Sequence, residues 1–146
     1  MSSGIVPSAD VLRVFEEDLK RNKKFKYIIL GIAKVVDPSN AKPVDTIVVT
    51  KTSEEPSWDK FLAELTDTEC KYAIYDFAYE VDGGGQRTKI ILITWAPDGA
   101  QTKERMIFAS SKAALKATLS SGIAAEVQAN DLSEITFEIV RAKLGN

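Results

Sequence analysis

The chain has 146 residues with 45% hydrophobic and 27% charged side chains, a composition typical of a soluble domain with one hydrophobic core. Its formal net charge of −2 provides no general attraction to nucleic acid, so no nucleic-acid partner is expected. Its single cysteine, Cys70, excludes an internal disulfide and favours a reducing compartment.

Histidine is absent, which removes Ser–His and Cys–His nucleophilic pairs and the commonest zinc ligand. Catalysis by carboxylates and lysines stays open, but no metal or other cofactor is expected. No apolar run is long enough to span a bilayer, and MSSGIVPSAD at the start lacks the pattern of a signal peptide. We therefore predict a protein of the cytoplasm, or of the nucleus, that does not insert into membranes.

The first part of the chain predicts a mobile arm followed by a helix. Met1 to Pro7 forms a short polar arm that contains glycine and proline. Ser8 is a good N-cap residue, and apolar residues then recur at helical spacing: Val11, Leu12, Phe15 and Leu19. The basic run from Lys20 to Lys26 is interpreted as a solvated connector.

Four segments are rich in β-branched or aromatic residues and predict strands: Tyr27–Ile32, Thr46–Thr50, Lys71–Val81 and Lys89–Trp95. Residues 33–44 are predicted to form a long loop, and Asp82–Gly85 a turn. Alternation in the third strand assigns its side chains to two faces, Ala73, Tyr75, Phe77 and Tyr79 on one and Tyr72, Ile74, Asp76 and Ala78 on the other.

Further helices and a short strand complete the pattern. Pro56 suits a first helical position before the apolar residues Trp58, Phe61, Leu62 and Leu65. Glu126–Ala129 predicts an edge strand, and Asp131 with Glu134 matches a capping box before a last helix. Two strands are continuously apolar, so both faces of the sheet must be covered. We predict an α/β fold of the α+β type, one domain over residues 1–146, with a mixed sheet of five or so strands between helices.

The longest helical pattern begins at about Thr102. It is predicted to end at Ser120, Ser121 and Gly122, since glycine readily takes the left-handed conformation that closes a helix. One stripe is expected to be buried: Ile107, Phe108, Ser111, Ala114, Leu115, Thr118 and Leu119. A second stripe is small and flat, with basic residues around it: Lys103, Met106, Ser110, Ala113 and Ala117, flanked by Arg105, Lys112 and Lys116. Exposed helix faces normally carry long charged residues, so this pattern indicates a protein-binding surface. The alternative is that Met106 belongs to the core.

Three features could suggest chemistry, and each has a simpler interpretation. The sequence DGGGQRTK, Asp82–Lys89, lacks the glycine spacing of a phosphate loop and joins strand to strand. It is interpreted as a hairpin tip that presents Arg87 and Lys89. Asp76 and Glu80 share a strand face without a nucleophile nearby, so polar positions on a partly hydrated strand are favoured. Cys70 is interpreted as a buried structural thiol.

Four segments of the chain are informative together: MSSGI at residues 1–5, CKYAIYDFAYE at 70–80, QRTKIILITWAPD at 86–98 and RMIFASSKAALK at 105–116. In sequence, order and spacing they resemble the actin-depolymerising factor/cofilin family. The similarity extends over essentially the whole chain, and the family's fold is a mixed sheet with helices on both faces. The resemblance implies a protein that is not an enzyme. It implies binding to actin monomers and filaments, preference for the ADP-bound state, and filament severing and depolymerisation.

The resemblance also implies roles for individual residues. Ser3 matches the serine of the N-terminal arm whose phosphorylation is inhibitory. The positions that match the monomer-binding surface are Ser3, Gly4, Lys103, Arg105, Met106, Ser110 and Lys112. The positions assigned to filament binding are Arg87, Lys89, Arg141 and Lys143. The same basic surface is expected to bind phosphoinositides, and the protein is expected to be a monomer.

Three departures from the family pattern bear on function. Ala113 stands where an acidic residue is common, residues 33–44 make a long loop, and the chain ends soon after Lys143. The short end puts severing in doubt more than monomer binding. Two alternatives stay open: a coactosin-like filament binder that neither severs nor binds monomers, and a small phosphoester-binding enzyme that uses DGGGQRTK.

Overall fold

Six strands form one mixed sheet in the computed structural model, which describes residues 4–37, 40–119 and 122–144. The strands are β1 (Val6–Pro7), β2 (Tyr27–Asp37), β3 (Asn40–Ser53), β4 (Lys71–Glu80), β5 (Gln86–Trp95) and β6 (Ala125–Ala129). Their order across the sheet is β1-β3-β2-β4-β5-β6. The outermost pairs, β1–β3 and β5–β6, are parallel and the inner pairs are antiparallel, which confirms the predicted mixed sheet.

Helices cover both faces of this sheet, as the apolar strands required. They are α1 (Ala9–Arg13), a π-helical continuation (Val14–Arg21), α2 (Trp58–Leu62), α3 (Thr102–Leu119) and α4 (Phe137–Leu144). A short 3-10 turn, Leu132–Glu134, precedes α4. Within the described ranges, no helix has both the length and the apolarity needed to cross a lipid bilayer.

Alternation along β4 separates two hydrophobic cores, as predicted. Tyr72 and Ile74 belong to the α3-side core, which also contains Phe15, Phe108, Leu115 and Leu119. Tyr75 and Phe77 belong to the α4-side core, which also contains Trp58, Phe61, Val140 and Leu144. Each large side chain buried in this way stabilises the fold by roughly 2 kcal/mol. The sheet therefore holds α3 and α4 on its opposite faces.

The N-terminal segment is more ordered than the predicted mobile arm. Ile5 is buried in the α3-side core, and β1 pairs Val6 with Thr46 and Pro7 with Ile47. Burial of Ile5 and two parallel pairs outweigh the entropy of a free arm, so the arm is fixed from Ile5 onward.

The first helix changes its hydrogen bonding within its length. Asn22 N–H donates to the Glu17 carbonyl at 2.9 Å, a π-helical bond, and Ser8 makes no side-chain cap hydrogen bond. Lys20 and Arg21 belong to this helical segment, so the basic run is a connector only after Arg21. Lys23 takes a left-handed φ of 52° in the turn toward β2.

Residues 33–37 and 40–44 do not form the predicted loop, because β2 and β3 extend into a long ribbon. Pro38 and Ser39, also predicted to lie in the loop, are outside the described residues. Val35 pairs with Val44, and Lys34 Nζ lies 3.1 Å from Asp45 Oδ1. The β-branched valines favour strand, and Pro43 is tolerated because β3 is an edge strand beyond its short pairing with β1.

Several helix ends also differ from their predictions. Pro56 lies before the cap of α2, since the Ser57 side chain accepts a hydrogen bond from Lys60 N–H at 3.2 Å. The capping box of Asp131 and Glu134 is confirmed, but it opens the 3-10 turn and not α4 itself.

Gly122 is required after α3 for space and not for a left-handed conformation. Its φ is not among the positive values found in the described part of the chain, and a Cβ placed there would lie 2.5 Å from Phe15 Cζ. Ser120 and Ser121, also predicted to end the helix, lie outside the described residues.

Candidate functional site

Helix α3 presents the predicted small, flat stripe to solvent. Met106 is 65% exposed, which excludes the alternative that it belongs to the core. Lys103, Ala113 and Ala117 are exposed beside it, and Ser110 is partly exposed. We call Lys103, Arg105, Met106, Ser110 and Lys112 the α3 surface.

The opposite stripe of α3 is anchored in the α3-side core. Phe108, Ser111, Leu115 and Leu119 are buried, and the Tyr72 hydroxyl donates a hydrogen bond to the Phe108 carbonyl. At the start of the helix, Glu104 Oε1 accepts a hydrogen bond from Cys70 N–H at 3.4 Å. These contacts fix the rotation of the helix, so the side chains of the α3 surface are held outward.

Cys70 is a buried thiol, as predicted. Burial, with the nearby charge of Glu104, raises the pKa of Cys70 to about 11. The thiol is therefore protonated at neutral pH, and its role is packing under the start of α3.

The hydroxyl of Ser110 is turned back onto its own helix. It lies within hydrogen-bond distance of the carbonyls of Met106, at 2.9 Å, and Ile107, at 3.2 Å. The lone pairs of the Ser110 oxygen can therefore accept a hydrogen bond from an external donor. Beside Met106 a shallow groove opens toward the ends of β5 and β6, lined by Thr94, Ala96, Thr102, Arg105, Ala109, Gln128 and Asn130.

Acidic side chains from outside the helix pair with most cations of this region. Arg105 Nη2 lies 3.3 Å from Asp98 Oδ1. Glu126 on β6 lies between two lysines, 3.9 Å from Lys112 Nζ and 2.6 Å from Lys116 Nζ. Lys103 makes no salt bridge within residues 4–37, 40–119 and 122–144. Sequence analysis missed Glu126, because its contact with α3 depends on parallel pairing of β6 with β5.

A second basic cluster forms where the β4–β5 hairpin meets α4. Lys89 Nζ donates to the Leu144 carbonyl at 3.1 Å, and Arg141 Nη2 donates to the Glu80 carbonyl at 3.0 Å. The Arg141 guanidinium also lies 4.8 Å from the centre of the Tyr79 ring. We call Arg87, Lys89, Arg141 and Lys143 the α4 surface.

The pairing of β4 and β5 explains why these residues meet. Arg87 pairs with Tyr79 and Lys89 with Phe77, and both aromatic residues belong to the α4-side core. Cross-strand partners point to the same side of a sheet, so both cations lie on the side of α4. The α3 and α4 surfaces therefore lie on opposite faces of the sheet.

The hairpin tip has no phosphate-binding geometry. Gly83 and Gly84 have φ values of 99° and 91°, and Val81 N–H donates to the Gly85 carbonyl at 2.8 Å. These glycines serve a tight turn between two strands, and no helix N-terminus follows it. Within the residues that the structure describes, no group of three or more His, Cys, Asp or Glu is placed to hold a metal ion.

Asp76 was predicted to lie on a partly hydrated strand face. This prediction is wrong, because Asp76 is only 3% exposed. Its Oδ2 atom lies 3.6 Å from Lys23 Nζ and 4.0 Å from Lys26 Nζ. Glu80, by contrast, is exposed. The two carboxylates thus occupy different environments, and Asp76 ties the basic turn before β2 to the sheet.

The N-terminal residues of the predicted site are only partly described. Ser3 lies outside the described residues. Gly4 is exposed with a φ of 79°, a conformation that favours glycine. The next residue, Ile5, packs in the same core as Phe108 of α3, which places the start of the described chain on the α3 side of the sheet.

Comparisons with known proteins agree over almost the full length. Residues 4–145 match the model of a family described as "Cofilin/tropomyosin-type actin-binding protein". A cofilin of Mycosarcoma maydis is 47% identical over 144 residues, covering 99% of this chain and 96% of that protein. A cofilin of Saccharomyces cerevisiae is 42% identical over 139 residues, covering 94% and 90%. The crystal structure of Streptomyces griseoflavus cofilin superposes with a TM-score of 0.81 at 37% identity, covering 97% of this chain and 100% of that one.

Proposed function

The chain belongs to the family of cofilin/tropomyosin-type actin-binding proteins, and from that premise we propose that it binds actin monomers and filaments and promotes filament severing and depolymerisation. It acts stoichiometrically, without chemistry of its own, and prefers actin in the ADP-bound state. The observation that carries the proposal is the exposure of Met106 on a small, flat helix face with cations around it.

The α3 surface has the parts needed to bind a monomer. Met106 would fill an apolar pocket on actin, since a flexible thioether adapts to an irregular cavity. Lys103, Arg105 and Lys112 would pair with actin carboxylates, and Ser110 would accept a hydrogen bond. Truncating a central anchor of such an interface typically costs about 2 kcal/mol or more.

The α4 surface would hold a second actin subunit in the filament. Its four cations lie across the sheet from α3, so one molecule can contact two subunits at once. Binding that favours one arrangement of the two subunits shifts the filament toward that arrangement and away from its resting contacts. This population shift is the physical basis that we propose for severing.

Several further properties belong to the same proposal. Phosphorylation of Ser3 would add roughly −1.5 to −2 charges. If placed near Lys103 and Arg105, these charges would repel an acidic actin surface and switch binding off. Phosphoinositides would compete for the same basic residues, and the protein would act as a monomer in the actin cytoskeleton, in the cytoplasm and also in the nucleus.

A Met106→Ala variant tests the proposal directly. We expect roughly thirtyfold weaker monomer binding, because the apolar anchor is lost while the charges remain. Val36→Ala is the matched control, since Val36 is 59% exposed on the β2–β3 ribbon, away from α3. Labelled filaments titrated with each protein would show fewer breaks with Met106→Ala only. Unchanged monomer binding in Met106→Ala would contradict the proposed site.

The two alternatives are less well supported. A coactosin-like protein would bind filaments without binding monomers, but the curated relatives described above are cofilins. Filament sedimentation alongside monomer binding separates the two proposals. The phosphoester-binding enzyme lacks a phosphate cradle in the hairpin tip, and a thermal-shift screen with nucleotides and phosphoesters would test it.

A further inference from the structure

Two lysines of α3 share one acidic partner on the edge strand. Glu126 is the second residue of β6, where Val127 and Ala129 are buried in the α4-side core. Successive side chains of a strand alternate between faces, so Glu126 points to the α3 side. There its carboxylate lies 2.6 Å from Lys116 Nζ and 3.9 Å from Lys112 Nζ.

The same compensation occurs at the start of the helix, where Asp98 pairs with Arg105. Lys103 is therefore the cation of the α3 surface that has no salt bridge in the described part of the chain. Much of the positive charge of this helix is thus compensated by the protein's own carboxylates before any partner binds.

We propose that Glu126 is a specificity residue, an internal counter-ion that weakens attraction of the α3 surface to diffuse anionic surfaces while sparing a protein partner with matching carboxylates. The inference rests on the proposed function, because actin is the partner whose binding is spared. Attraction to a lipid surface depends on the number of free cations near it and needs no defined geometry. A protein partner is instead selected by Met106 and by the positions of individual cations.

The distances from Glu126 to Lys116 and to Lys112 explain why Glu126 would leave the affinity for actin almost unchanged. The Lys116 pair is within hydrogen-bond distance, and this hydrogen bond is the main cause that holds the pKa of Glu126 below its usual range. The Lys112 ammonium is beyond hydrogen-bond distance. Lys112 can therefore turn to a fixed carboxylate on a partner at little cost, while Glu126 stays paired with Lys116.

The test compares Glu126→Gln with Glu54→Gln, which makes the same change of charge at an exposed position between β3 and α2. Each protein is titrated with actin monomers and with vesicles of phosphatidylcholine and phosphatidylserine, at low and at high salt. We expect Glu126→Gln to bind the vesicles about three- to fivefold more tightly at low salt and to lose this gain at high salt. Its affinity for actin monomers should stay within about twofold of the unchanged protein.

A triple variant shows whether the released lysines cause the gain. Adding Lys112→Gln and Lys116→Gln to Glu126→Gln should abolish the tighter vesicle binding, and thermal melting of each variant checks that it is folded. An equal gain in Glu54→Gln would overturn the proposal, because net charge alone would then explain it. An equal gain toward actin, or no vesicle binding by Glu126→Gln, would also overturn it.

Failure of the proposed function gives a different result. If the unchanged protein does not bind actin monomers, the proposed function is refuted, and the specificity toward actin with it. The vesicle comparison between Glu126→Gln and Glu54→Gln would still decide whether Glu126 restrains the lysines.

Discussion

On the α3 surface Arg105 and Lys112 are paired with acidic side chains, whereas on the α4 surface Lys89 and Arg141 are bound to backbone carbonyls and, for Arg141, an aromatic ring. Arg105 and Lys112 form salt bridges with the carboxylates of Asp98 and Glu126. Lys89 and Arg141 contact the carbonyls of Leu144 and Glu80, which are neutral dipoles.

The two kinds of partner differ in their effect on the charge of the cation that they position. A carbonyl orients a cation without cancelling its charge, so the α4 surface stays positive and its side chains are fixed. A carboxylate orients a cation and also offsets its charge, so much of the positive charge of the α3 surface is offset before a partner binds. We expect the α4 surface to attract negative surfaces over a distance and the α3 surface to select by contact.

The largest expected effect comes from removing two cations from one surface at a time. Lys103→Ala with Arg105→Ala should weaken monomer binding about a hundredfold or more, because both lie beside the Met106 anchor. Arg87→Ala with Lys89→Ala should abolish filament binding and leave monomer binding intact. Monomer-binding titrations and filament sedimentation measure the two activities, and each variant is the control for the other. Equal loss of both activities in both variants would refute the division into two sites.

A smaller effect should appear in the free energy of unfolding. Arg141→Ala removes the bond to the Glu80 carbonyl and the contact with the Tyr79 ring, so it should destabilise the fold by about 1–2 kcal/mol. Lys143→Ala, at an exposed position of the same helix, should change stability by less than about 0.5 kcal/mol. Denaturant unfolding of both variants measures this. Similar stabilities for the two would show that Arg141 is not a structural part of the α4 surface.

The smallest effect concerns acid, which should weaken the Lys116–Glu126 pair beside the α3 surface but not the carbonyl contacts of the α4 surface. The hydrogen bond from Lys116 lowers the pKa of Glu126 in the folded protein relative to the unfolded chain. Its contribution to stability is therefore complete above the unfolded pKa and is lost as the pH falls through the folded value. Carbonyls do not titrate, so the bonds of Lys89 and Arg141 should persist. A carboxyl-carbon NMR titration in which Glu126 protonates like a free glutamate would contradict this difference.

Helix α3 shows which features could be predicted from the sequence. Both stripes of the helix were predicted from three- and four-residue spacing, and the structure buries Phe108 and Leu115 while it exposes Met106. The two faces of β4 and the capping box at Asp131 were predicted in the same way. These features depend on neighbours in the chain, which the sequence displays directly.

The wrong predictions share a different cause. Met1–Pro7 was assigned to a mobile arm, which is wrong from Ile5 onward, because the polar sequence does not show that Ile5 packs in the α3-side core. Residues 33–44 were assigned to a loop, because Asp37, Pro38 and Pro43 hid a ribbon in which Val35 meets Val44. Gly122 was assigned to a left-handed cap, although its actual constraint is the ring of Phe15, more than a hundred positions away.

The sequence by itself determined the type of most elements, the buried faces of α3 and β4, and the family, because helical and strand periodicity and short motifs are local along the chain. Only the tertiary structure decided which charges meet. Asp76 of β4 meets Lys23 in the turn before β2, Glu126 meets Lys112 and Lys116 from an edge strand, and Lys89 meets the end of α4. Ion pairs and hydrogen bonds between residues that are distant in the sequence follow from the order of strands in the sheet, and no local pattern encodes that order.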